Sequence, residues 1–202
     1  MCFGACRIIA SGDVDFWGGG YAVRSSEWER FIELSTGYFL YDFLFMVFPN
    51  TACEPVPSKE MIFHHIVSVV THYYPVCVCH YGVPISVVGY LAEFSTPFTN
   101  ARWMLKEAGG GTGTKIYLLN GLLLAVSFFL CRTCNLAFLL YMIFVAHPRF
   151  TDGLSLGEAM GGGLGHAIAP LTVVFYFLNA FWMWKIAKGL VKAVQKLGKK
   201  EE

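Results

Sequence analysis

Five stretches of this chain are apolar over lengths suited to crossing a bilayer, and every one of them carries polar or ionisable side chains. A bilayer core takes about 20 residues of helix. Inside it each backbone N–H and C=O has to be satisfied by the protein itself, which a helix achieves within one segment. The predicted spans are 33–48, 61–79, 85–105, 115–146 and 166–186. The fourth is too long for one perpendicular crossing at about 1.5 Å per residue and too short for two. It is therefore expected to be a single tilted or kinked helix, interrupted by Arg132 and Asn135. Hydrophobic residues make up 55% of the chain and charged ones 14%, against about a quarter charged in soluble domains. The expected fold is an all-α polytopic transmembrane helix bundle. Its expected parts are a polar or amphipathic segment at 1–33, a transmembrane domain at 34–186 and a basic cytosolic tail at 187–202.

The charges sit between the apolar blocks and at the C-terminus, and the net charge is only +1. Nothing here offers nucleic acid a basic stripe. Residues 1–12 lack both the basic start and the apolar run of a secretory signal. Lys106 and Lys115 flank the third connection, and Lys185, Lys188, Lys192, Lys196, Lys199 and Lys200 follow the last span. Placing both groups on the cytosolic side orients five spans with a luminal N-terminus and a cytosolic C-terminus. That orientation weighs against lipidation of Cys2 or Cys6. Cys131 and Cys134 have redox-motif spacing without a βαβ context, and they are read as small buried hydrophobes along with Cys77 and Cys79. Residues 185–199 keep lysines at helical spacing with Ile186, Leu190, Val191, Val194 and Leu197, the pattern of an amphipathic helix on an anionic leaflet. Lys199-Lys200-Glu201-Glu202 is similar to the dilysine signal that coat proteins read on endoplasmic-reticulum membrane proteins. A solubilising tail, with residence in a mitochondrial or other organelle membrane, is the alternative.

A charge inside a span costs several kcal/mol, so it faces the bundle interior and serves a purpose there. The first span carries Tyr38 and Asp42 one turn apart. In the second, His65, Ser68 and His72 share one helical face while His64, Ser68 and Thr71 share an adjacent one. The third carries Glu93, Thr96 and Asn100 at i, i+3 and i+7, with Arg102 near its end. Arg132 and Asn135 lie in the fourth and Asn179 in the fifth. Buried together, these faces enclose a polar chamber suited to an amphiphile, lined by Tyr38, Asp42, His64, His65, Ser68, His72, Glu93, Thr96, Asn100, Arg102, Arg132 and Asn179. Interhelical hydrogen bonds worth about 0.6–2 kcal/mol each explain the lone asparagines and serines equally well. Asp42, Glu93 and Arg132 fit a structural ion pair as readily as catalysis. The adjacent imidazoles of His64 and His65 point to function, because histidine moves protons near neutral pH.

The segments Ser35-Thr36-Gly37-Tyr38-Phe39-Leu40-Tyr41-Asp42, His64-His65-Ile66-Val67 and Glu93-Phe94-Ser95-Thr96-Pro97-Phe98-Thr99-Asn100-Ala101-Arg102-Trp103 follow one another in order. Together with Phe128–Arg132 and Leu178–Trp182 followed by Lys185, they resemble the successive motifs of the TLC-domain family, the ceramide-synthase-like membrane proteins. The resemblance covers about 35–188. It implies about six helices around a lipid-accessible cavity in an internal membrane, binding membrane lipids. Ceramide synthases follow their paired histidines with a further His-Asp and another aspartate, whereas 89–102 here holds Glu93 as its one acid and no histidine. The chain therefore resembles the non-synthase branch, implicated in phospholipid composition and lipid homeostasis. A family member is also expected to have a span before Ser35, which 1–33 is too polar to supply. That leaves a shortened form, or a bundle completed by a homo-oligomer or larger membrane complex.

Three functions follow. The first is a lipid-binding or lipid-homeostasis protein without a cofactor or metal. The second is an acyltransferase taking acyl-CoA as co-substrate, with His64 or His65 as base or acyl acceptor and Asp42 or Glu93 orienting it. The third is a non-catalytic subunit. A di-iron hydroxylase needs several histidine boxes, whereas this chain has six histidines in all. The glycine run at 109–115 lacks a Ser or Thr after its lysine and does not follow a strand, so it is read as a loop rather than a phosphate cradle. No internal repeat points to a transporter.

Overall fold

The computed structural model describes residues 26–48, 59–108 and 114–201. Cys2, Cys6 and most of the 1–33 segment lie outside the described residues, as do 49–58, 109–113 and the side chains of Lys199 and Lys200. Five long helices follow in order: α1 (Ser26–Val47), α2 (Lys59–Val78), α3 (83–107), α4 (Lys115–Phe150) and α6 (Gly165–Glu201), with a one-turn α5 (Leu156–Ala159) before the last. The protein is an all-α polytopic membrane bundle. α2, α4 and α6 are each long and apolar enough to cross a membrane. α1 and α3 contain the other two predicted spans, but Glu27, Glu29, Arg30 and Glu33 at the start of one, and Arg102, Lys106 and Glu107 at the end of the other, lower their hydropathy.

Cross-helix contacts give the direction of each helix. Asp42 meets His65 while Phe31 meets Tyr90. Asn135 reaches the Val88 carbonyl while Asn120 reaches that of Phe98. Consecutive helices are therefore antiparallel. The ends of α1, α3 and the apolar part of α6 gather with the starts of α2 and α4 at one face, called here the lysine end for Lys59, Lys106, Lys115 and Lys185. The opposite face is closed by the turn at Tyr81 and by α5.

Proline positions explain where the helices depart from α geometry, because proline supplies no N–H to the carbonyl four residues back. At Pro75 the ladder widens to a π-turn over Tyr74–Val78, with the Cys79 N–H donating to the Tyr74 carbonyl. At Pro97 the orphaned Glu93 carbonyl accepts instead from Thr96, which tightens Leu91–Ser95 into a 3₁₀ turn. Pro148 follows a second π-turn at Met142–Ala146. The third π-turn, Phe129–Cys134, has no proline and carries Arg132; such bulges recur at functional sites.

The apolar core is concentrated toward the Tyr81 end. One cluster joins Val67, Ile85, Leu136, Met142, Leu156 and Ile168 across α2, α3, α4, α5 and α6. A second joins Ile32 and Phe39 of α1 to Val76, Val87 and Tyr90. Here the helices fit closely: any side chain at Gly157 would meet the backbone of His166, 2.8 Å from its Cα. Ser155 caps α5, and its hydroxyl and N–H hold the Glu158 carboxyl below the usual glutamate range. The outer surface shows Leu34, Leu123, Leu130 and Phe177 to the surroundings, as expected of a surface in hydrocarbon. The lysine half of the bundle is more open, and the polar side chains converge there.

Candidate functional site

At the lysine half, α1, α2, α3, α4 and α6 surround a cavity of about 370 Å³, within the roughly 300–1,000 Å³ of small-molecule sites. Of the twelve chamber residues expected from sequence, Tyr38, Asp42, His64, His65, Glu93, Thr96, Asn100 and Arg132 line it. The other four do not. Ser68 is buried and its carbonyl accepts from His72 Nδ1. His72 packs edge-on against Gly89 and beside the Tyr90 ring. Asn179 stands behind Arg132, and Arg102 lies in an adjoining groove.

The deep wall is a satisfied ionic network. Arg132 Nη2 donates to Glu93 Oε1 at 3.2 Å and to Thr96 Oγ1 at 3.3 Å, Nε to Ser95 Oγ at 2.9 Å, and Nη1 to Asn179 Oδ1 at 3.4 Å. Thr96 in turn donates to Glu93 Oε2 at 2.6 Å, and Asn179 Nδ2 to the Phe175 carbonyl. Every strong acceptor of Glu93 and every nitrogen of the guanidinium is engaged, which is what keeps an ion pair tolerable away from water. The 3₁₀ turn before Pro97 presents Glu93 and Ser95 together to this one arginine.

The two histidines differ. His65 Nδ1 lies 3.0 Å from the Met61 carbonyl and Nε2 lies 2.7 Å from Asp42 Oδ2. A carbonyl only accepts, so Nδ1 carries a hydrogen, and the Nε2–Oδ2 contact shares one more proton between imidazole and carboxyl. Both nitrogens of His65 are therefore occupied. His64 is 4% exposed, its Nδ1 has no hydrogen-bond partner among the described residues, and its Nε2 is 3.9 Å from Glu93 Oε1. Its ring is stacked on Phe175 at 4.9 Å and tilted against Trp182 at 5.5 Å. His64 thus lines the cavity with an Nδ1 that is buried in the wall and unpaired among the described residues.

Sequence reasoning missed Ser95, Lys185, Trp182 and Phe175 as site residues. Ser95 falls off the i, i+3, i+7 stripe and reaches Arg132 only through the 3₁₀ turn. Lys185 reads as a flanking charge, yet it lines the cavity at its lysine end beside Ile186. Among the described residues no three His, Cys, Asp or Glu side chains are grouped as metal ligands.

The family profile of the TLC domain matches residues 3–188. The chain belongs to the TLC-domain family. The match extends over the cavity, α1 to α4 and α6 as far as Lys188, and it begins well before the Ser35 motif. TLC domain-containing protein 4-B of Xenopus laevis is 26% identical over 88% of this chain and 63% of its own length. TLC domain-containing protein 4 of Homo sapiens is 27% identical over 81% of this chain and 59% of its own. TLC domain-containing protein 2 of Danio rerio is 32% identical over 73% and 57% respectively. The chain thus spans a little under two thirds of the length of these curated relatives, none of which is named a ceramide synthase. No solved structure matches the chain significantly.

Proposed function

We propose that this TLC-domain protein holds an acyl-bearing lipid in its cavity and acts in membrane lipid homeostasis without turning the lipid over. One observation carries the reading: Arg132 and Glu93 neutralise each other within the protein, so the cavity offers a guest a largely apolar wall of Phe39, Leu124, Phe128 and Trp182, with Lys185 at its lysine end and His64, whose buried Nδ1 has no partner among the described residues, deeper in. Such a site anchors one polar group of a guest and accommodates hydrocarbon beside it. The test is lipid extraction and mass spectrometry on protein purified in mild detergent. Wild type is expected to carry acyl lipid in near-stoichiometric amount, and Thr99→Trp, which narrows the cavity, is expected to lose most of it. Wild-type protein with no more lipid than an unrelated membrane protein of similar size overturns the reading.

The His64 Nε2, 3.9 Å from Glu93 Oε1, also favours a second reading, acyl transfer from acyl-CoA to a nucleophilic acceptor with His64 as base and Glu93 beside it. Purified protein converting acyl-CoA to a new acylated product supports it; a bound lipid recovered chemically unchanged supports the first.

For location we propose the endoplasmic reticulum, with the lysine end and the C-terminus cytosolic and the N-terminus luminal. Lys59, Lys106, Lys115 and Lys185 gather at the lysine end, which supports a cytosolic position for that face. In sealed microsomes an epitope placed after Lys192 is expected to be cleaved by added protease; its protection overturns the orientation.

A further inference from the structure

A second opening lies beside the main cavity at the lysine end. It is a groove of about 200 Å³ between α3, α4 and α6, lined by Arg102, Gly121, Leu124, Lys185, Ile186 and Leu190. Leu124, Lys185 and Ile186 line both spaces, so the groove and the cavity meet along one wall.

Its polar end is cationic and unneutralised. Arg102 Nη1 is buried and has no hydrogen-bond partner among the described residues. Among the described residues neither Arg102 nor Lys185 forms an ion pair there, whereas nearby Lys106 is placed against Glu107 at 4.0 Å. Both cations are held by aromatic rings: Arg102 Cζ is 4.1 Å over Tyr117 and Lys185 Nζ is 4.3 Å over Phe181. The guanidinium lies against Gly121, where a Cβ would come within 2.7 Å of Nη1. A buried guanidinium N–H left without an acceptor is costly, and the acceptor that matches its fork is a carboxylate or a phosphate. Two uncompensated cations in one groove favour the more highly charged and bulkier phosphate.

We propose that the Arg102–Lys185 groove is a phosphate site that receives the headgroup of an anionic phospholipid, whose acyl chain enters the adjoining cavity. The inference rests on the lipid-holding reading above and names the class of lipid. It places the headgroup at the lysine end and the chain toward His64, with Leu124 and Ile186 forming the apolar step between them.

The test uses the full chain in nanodiscs of phosphatidylcholine containing a minor fraction of phosphatidic acid, with bound lipid identified by native mass spectrometry. Wild type is expected to enrich phosphatidic acid over phosphatidylcholine. Arg102→Gln is expected to lower that enrichment about fivefold, the effect of one cation–phosphate contact at a membrane surface. Arg102→Lys, which keeps the charge, is expected to retain most of it, and Gly121→Ala, which displaces the guanidinium, to lose it with the charge still present. A melting curve for each variant identifies any that fail to fold. Acyl lipid bound by wild type with the same headgroup profile in Arg102→Gln overturns this inference alone. Absence of any bound acyl lipid overturns the lipid-holding reading as well. Competition by inorganic phosphate or pyrophosphate in the absence of lipid enrichment assigns the groove to a soluble phosphate compound and overturns the headgroup assignment.

Discussion

Replacing Arg132 with methionine is expected to destabilise the protein by about 3–5 kcal/mol, the largest loss from any single substitution in the cavity wall. Four hydrogen bonds disappear, to Glu93, Thr96, Ser95 and Asn179. The greater cost is the Glu93 carboxylate left behind without its counter-charge, hydrogen-bonded to the Thr96 hydroxyl and 3.9 Å from His64 Nε2. Glu93→Gln is expected to be destabilising too, because it strands the guanidinium, 6% exposed, without its counter-charge. The double variant Glu93→Gln/Arg132→Met removes both charges and is expected to recover most of the loss, since well-packed uncharged groups replace buried ion pairs at little net cost. Arg132→Lys meets only one of the acceptors and is expected to fall between wild type and Arg132→Met. Thermal unfolding of the four variants in one detergent, combined as a double-mutant cycle, measures this. An Arg132→Met protein that melts with wild type, or a double variant no better than the worse single one, removes the ion pair from its structural role.

The same residues show which parts of the site were legible in the sequence. All five apolar segments are helical, because hydrocarbon imposes helix wherever the chain is apolar for long enough. The polar start of α1 was not legible. α1 is already helical at Ser26, seven residues before its apolar part, whereas the helical continuation of α6 through 185–199 was legible in the lysine spacing. Hydropathy does not register polar turns that continue a helix, whereas good helix formers such as Glu and Lys carry it onward.

The helical stripes located polar faces correctly but not their partners. His65, Ser68 and His72 share an ideal face, yet His65 meets α1 and His72 meets α3, because the neighbour of α2 changes along its length. Glu93 and Ser95, two residues apart, both reach Arg132 because Pro97 converts the intervening turn to 3₁₀ geometry. The Asp42–His65 pair depends on the antiparallel register of α1 against α2, which no spacing within either helix encodes. Asn120 and Asn135, by contrast, do hold neighbouring helices through the Phe98 and Val88 carbonyls, as the interhelical hydrogen-bond reading expects.

Alanine at His64 and alanine at His65 are expected to fail in opposite ways, although the two residues are adjacent. His65 spends both nitrogens on the protein, at Met61 and Asp42. Its removal is expected to cost about 1–2 kcal/mol of stability, limited by the water that reaches Asp42, whose side chain is 40% exposed. Whatever protein remains folded still has an intact His64 facing the cavity, so lipid retained per folded molecule is expected to change little. His64 spends neither nitrogen on a hydrogen bond to the protein, and its ring rests on Phe175 and Trp182. Its loss is expected to lower the melting temperature only slightly while reducing bound lipid about tenfold, the equivalent of one hydrogen bond to a charged or strongly polar headgroup. His64→Phe, which keeps the stack without the nitrogen, separates packing from polarity and is expected to behave as His64→Ala does toward lipid. If the protein is instead an acyltransferase, the same pair decides the base: product formation vanishes in His64→Ala and persists in His65→Ala in proportion to the folded fraction. Equal loss of stability in both variants, or equal loss of lipid, means that the Asp42 contact does not separate their roles and that the guest is held elsewhere in the cavity.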